Sequence, residues 1–107
     1  MNKKKTTNFE DKIIEDFKKN PKLLKQFKIS IAKDYKKDKD LRAFKECLKL
    51  VIKAQRGLAT KIAREANIDR GNIYKILSSK TNPRYDTLAI IMKCAGYEFD
   101  NIAYIGA

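Results

Sequence analysis

Residues 59–78 read ATKIAREANIDRGNIYKILS, and the spacing of their apolar and turn-forming residues decides the fold. Two short helical patterns, Ala59 to Ala66 and Arg70 to Leu77, flank Asn67-Ile68-Asp69. In a helix-turn-helix two short helices cross steeply over a tight turn, so the side chains at the crossing must be small or apolar. Ala63 falls where the second helix would press on the first. Asn67 falls at the turn, where the backbone often needs positive φ, which Asn tolerates best after Gly. Ile62, Ile68, Ile73 and Ile76 fall on the inward side and are expected to lock the pair to a core. An ordinary helical hairpin fits the same spacing, so the outward face decides what the unit is for.

On the second helix Asp69 is placed to cap, and Arg70, Gly71, Asn72, Tyr74 and Lys75 are left for solvent or a ligand. Arg70, Gly71, Asn72 and Lys75 are the expected base-reading residues. Arg bonds guanine bidentately, Asn does the same to adenine, and each such pair discriminates by about 1–3 kcal/mol. Gly71 lowers helix propensity by about 1 kcal/mol relative to Ala, but without a side chain it lets the backbone approach the bases. Tyr74 fits a sugar-phosphate contact or packing against the neighbouring helix. Thr60 and Lys61 open the first helix, where free amides and the positive dipole end favour a phosphate. Ser78, Ser79, Lys80, Asn82 and Arg84 follow the second helix with donors suited to the backbone across the groove. Plain solvent exposure accounts for any one of these phosphate candidates taken singly.

Before this unit, Gly57 is expected to end a helix that Asp40 caps and whose apolar face is Leu41, Phe44, Leu48, Val51 and Ile52. The charged run from Lys36 to Asp40 separates it from a helix with the stripe Leu24, Phe27, Ile31 and Tyr35. That helix opens at Asn20-Pro21, an N-cap followed by a proline that loses no hydrogen bond there. Phe9, Ile13, Ile14 and Phe17 recur at helical spacing in a first short helix ending near Asn20. Beyond the unit, a helix from about Tyr85 to Ala95 stops at Gly96, and Tyr97-Glu98-Phe99 alternates as an extended segment does. The expected fold is all-α. Residues 1–8 form a disordered basic leader, 9–40 an N-terminal helical extension, and 41–107 the helix-turn-helix domain with its tail.

The 107-residue length suits one core, and 43% apolar residues supply it beneath a coat in which 36% of residues are charged. Lys and Arg number 25 against 13 Asp and Glu, a formal charge of +12 that draws polyanions. Residues 53–84 alone hold eight cations (Lys53, Arg56, Lys61, Arg64, Arg70, Lys75, Lys80, Arg84) against Glu65 and Asp69, netting +6. Without histidine, paired carboxylates in an apolar setting or an activated nucleophile, the chain does not read as an enzyme. Cys47 and Cys94 are far apart and form no CxxC, so no metal or cofactor site is indicated and both are expected as buried, reduced thiols. No apolar run approaches the roughly 18 residues that span a bilayer, and the Lys-rich start lacks a signal peptide's apolar stretch. The expected location is a reducing cytoplasm.

On these residues the chain resembles the Xre-type helix-turn-helix proteins and, within them, the HigA-like addiction-module antidote (antitoxin) family. The likeness runs from about Leu23 to Phe99. It is carried by Gly57-Leu58-Ala59, Ile62-Ala63-Arg64-Glu65, Ile73-Tyr74-Lys75-Ile76-Leu77, Asn82-Pro83 and Thr87-Leu88. The resemblance implies a lambda-repressor-like bundle and an antitoxin that represses its own operon by binding a double-stranded operator as a homodimer, beside a small ribonuclease-type toxin. A stand-alone phage-type or chromosomal repressor without a toxin is the alternative, as is an adaptor that holds a protein partner through residues 9–52. For the dimer, the candidate surface is the last helix and the tail, where Tyr97, Phe99, Ile102, Tyr104 and Ile105 are apolar, which packing onto the chain's own core explains about equally well.

Overall fold

A computed structural model of the chain describes residues 8–78, 84–100 and 102–106. Six helices run α1 (Asn8–Lys19), α2 (Pro21–Asp38), α3 (Leu41–Ala54), α4 (Leu58–Ala66), α5 (Arg70–Ser78) and α6 (Tyr85–Cys94). Two short strands follow, β1 (Tyr97–Glu98) and β2 (Ala103–Tyr104). The leader expected over 1–8 lies outside the described residues except for Asn8, which already belongs to α1.

The helix boundaries follow from capping chemistry. Asn20 Oδ1 accepts from the Leu23 amide at 3.2 Å, with Pro21 at the first helical position of α2. Asp40 Oδ1 accepts from the Ala43 amide at 3.0 Å and starts α3. The sequence suggests that Gly57 ends α3, but α3 stops at Ala54 with Gln55 as its cap. Gly57, at φ 83°, instead precedes the first residue of α4. Between the two helices the backbone takes a left-handed step at this residue, and glycine takes that step at no steric cost.

α3 is the central helix. α1, α2, α4 and α5 all pack against it, and α6 lies against α4. Leu48, Val51, Ile62, Ile73, Leu77, Ile91 and Met92 are fully buried at the centre, joined by Ile31 and Ala32 from α2. Burying a side chain of this size stabilises by roughly 1.5–3 kcal/mol, so the packing of α4 and α5 onto α3 is held mainly by these aliphatic groups.

The two strands pair antiparallel, Tyr97 opposite Tyr104 and Glu98 opposite Ala103. They pack through β2 against α2 and through β1 against α6. This ribbon is the one departure from an all-helical chain among the described residues. Tyr97 is only 1% exposed and its hydroxyl donates to the Lys28 carbonyl of α2 at 2.8 Å, a buried bond between residues 69 apart in sequence. Ile102 is buried as well. Of the tail's apolar residues, then, Tyr97 and Ile102 belong to the chain's own core, Phe99 and Tyr104 are half-buried, and Ile105 is exposed.

Both cysteines are free: Cys94 is buried, but Cys47 is only half-buried, less than the sequence suggests. Burial pushes both thiols up from their ordinary pKa, Cys47 further aided by Asp34 and Glu46 and Cys94 by Glu65. Each is therefore held as the unreactive protonated form.

Candidate nucleic-acid interface

α4 ends on Asn67, in the left-handed region at φ 58° and ψ 49°, whose amide donates to the Ala63 carbonyl. The Ile68 amide reaches the same carbonyl at 3.0 Å. These two bonds turn the chain sharply enough for α5 to begin at Arg70, where the Asp69 carbonyl accepts from the Asn72 amide at 3.0 Å. Asparagine suits the position because its side chain lowers the cost of positive φ. Ala63, Ile68 and Ile76 are half-buried against the core, and Ile73 and Leu77 point fully into it.

With that inner face fixed, the helical period sends Arg70, Gly71, Asn72 and Lys75 outward, and all four are exposed. They lie on one short helix that presents a cationic and amide-bearing surface. Beyond its own stretch of helix, a methyl group built on Gly71 would meet no atom of the described residues within 4 Å. No packing contact among the described residues therefore requires a glycine at that position.

The residues expected to flank the groove fall into different situations. Thr60 and Lys61 are exposed in the first turn of α4, where Gly57 supplies no side-chain cap to the amides. Ser78 is exposed, but its Oγ accepts from Lys49 Nζ at 2.7 Å, which leaves the hydroxyl proton for another acceptor. Arg84 is exposed and grips Asp86, with Nε and Nη2 at 3.4 and 3.3 Å from the two carboxylate oxygens. The Arg84 hydrogen bond holds the Asp86 carboxyl below its usual range. Arg84 thus presents a partly neutralised charge, and it could meet a phosphate only by sharing or leaving that carboxylate. Ser79, Lys80 and Asn82 lie outside the described residues.

Tyr74 is half-buried against the core, with Lys53 Nζ 5.3 Å from its ring centre. Burial pushes its phenol up from the ordinary value, opposed by Arg70 one turn earlier. The hydroxyl therefore stays protonated and able to donate at neutral pH. In the sequence, Lys53 counts only toward the basic excess of residues 53–84 and Lys49 carries no signal of its own, because α3 reads as a core helix. The available signal was their four-residue spacing beside the apolar stripe, which puts both on one edge of the helix.

Among the described residues there is no group of three His, Cys, Asp or Glu able to hold a metal ion, and no helix long and apolar enough to cross a membrane. The sequence model of a family described as probable addiction module antidote protein matches residues 21–103. That span begins with α2 and leaves α1 outside. No curated protein and no solved structure matches the chain.

Proposed function

The chain belongs to the family of probable addiction module antidote proteins, and on that premise we propose that it is the antitoxin of a toxin–antitoxin pair and represses its own operon by binding operator DNA. One observation carries the DNA-binding part. Arg70, Gly71, Asn72 and Lys75 share the exposed face of α5, while Ile73 and Leu77 anchor the opposite face in the core. A rigidly backed helix with Arg, Asn and Lys on its free side has the donors and acceptors that read base edges in a major groove. The formal charge of +12 supplies the sequence-independent attraction to the duplex.

In this reading the unit is of the Xre type within a lambda-repressor-like bundle, α4 lies across the backbone and α5 enters the groove. Arg70, Asn72 and Lys75 read bases, with Gly71 allowing the close approach. Thr60, Lys61, Ser78 and the Tyr74 hydroxyl take phosphates, as do Ser79, Lys80, Asn82 and Arg84 in the segment that follows. The protein works as a homodimer on two half-sites about 34 Å apart, and its protein partner is a small ribonuclease-type toxin. No catalytic step belongs to this chain.

Selection of bound duplexes from a random pool, followed by sequencing, tests the reading. The expected product is an inverted repeat whose half-sites are one helical turn apart. A pool that stays random after repeated rounds, at a salt concentration where the protein still binds duplex, would remove sequence-specific repression and leave the antitoxin role to rest on protein contacts alone.

A further inference from the structure

α3 runs antiparallel to α5 where their polar edges meet. Lys49 Nζ donates to Ser78 Oγ at 2.7 Å, and Lys53 Nζ stands 5.3 Å from the centre of the Tyr74 ring. Lys49 and Lys53 are one turn apart on α3, and so are Tyr74 and Ser78 on α5, in the reverse order. Both ammonium groups, carried by α3, are thereby held against α5, the helix that displays Arg70 and Lys75.

The two lysines are not electrically equivalent. Lys49 is paired with Glu46 at 2.9 Å, and its side chain is only 18% exposed. Lys53 is exposed, and among the described residues no carboxylate is paired with it. Its ammonium rests on an aromatic face, a weak attraction at an exposed site that a phosphate readily outcompetes. The long flexible stem lets the charge move from the ring to an anion beside it without moving the backbone.

We propose that α3 is a second DNA-contacting element, in which Lys53 takes a backbone phosphate beside the groove that α5 enters, while Glu46 restrains Lys49 from taking another. The inference rests on the reading of α5 as a groove-entering helix. It adds a contact row from outside the helix-turn-helix, together with a built-in attenuator of affinity.

The test uses the full chain with a selected operator and an unrelated duplex, titrated at about 50 and 200 mM salt, with thermal melts as the control for folding. Lys53→Gln is expected to weaken both duplexes alike. Losing one phosphate contact should make the fall in affinity across that salt range about three- to fourfold smaller than for wild type. Lys53→Arg keeps the charge and should restore the wild-type slope. Glu46→Gln is expected to bind both duplexes several-fold tighter at the lower salt, and adding Lys49→Gln should cancel that gain. A wild-type slope in Lys53→Gln would overturn the α3 contact. A gain from Glu46→Gln that persists without Lys49 would overturn the attenuator. If wild type itself shows no salt-dependent duplex binding, the reading of α5 fails and this inference falls with it.

Discussion

Arg70 and Lys61 are both exposed cations of the helix-turn-helix, but they should fail differently. Arg70→Ala is expected to lose about 1–3 kcal/mol of discrimination at one base pair. Lys61→Ala should weaken every duplex alike and reduce the salt slope by about 0.9. Titrating an operator and its single-base variants over a salt series separates the two, and a uniform loss from both would refute the division of roles. Tyr97 makes a prediction about stability. Burial, mainly, holds its phenol far above the ordinary value of 10.0. Below about pH 10 the group is neutral in both states and its contribution is complete. Above that, the unfolded chain releases the proton and the native chain does not, so stability falls as pH rises. Tyr97→Phe should cost about 1 kcal/mol at neutral pH for the lost hydrogen bond and flatten the alkaline limb of a denaturation series. The outward placement of Arg70 and Asn72 was legible because helical period alone fixes which side they take. The partners of Ser78 and Arg84 were not: Lys49 reaches Ser78 across 29 residues of sequence, and the bond to Asp86 depends on a side-chain conformation that no spacing rule supplies.

α5 is the element in which stability and binding are set against each other. Gly71→Ala places a methyl group in open space and should stabilise the fold by about 0.5–1 kcal/mol through helix propensity and a less flexible unfolded chain. The same methyl stands between the helix and the bases, so operator affinity should fall. A higher melting temperature paired with unchanged affinity would remove glycine's role in close approach. The two helices of the unit and the turn residue Asn67 could be read from the sequence nearly to the residue, since small, apolar and turn-forming positions there all agree. The β1–β2 ribbon could be read only as an extended tendency at Tyr97-Glu98-Phe99. Strands of two residues carry no usable period, and the return strand follows Ile102 at φ 51°, where turn chemistry would call for glycine or asparagine. Burial of the Ile102 side chain outweighs its backbone preference.

For the whole molecule, 25 cations against 13 acids act in two directions. Self-repulsion opposes the compact state, and the same charge attracts a duplex. Raising salt from about 50 to 200 mM should therefore raise the melting temperature while weakening DNA binding. A melting temperature that falls over this range would show that self-repulsion does not limit stability, and an affinity that does not fall would show that charge does not drive binding. Composition made this balance visible, and apolar periodicity foretold the core that withstands it. Hidden from both was the way the tail closes that core, with Tyr97 reaching back to α2 through the Lys28 carbonyl. That closure has a temporal side: on a ribosome, every helix from α1 to α6 emerges before Tyr97 and Ile102 do. The nascent bundle must wait with its centre unsealed until those two side chains have followed α6 out and folded back onto it.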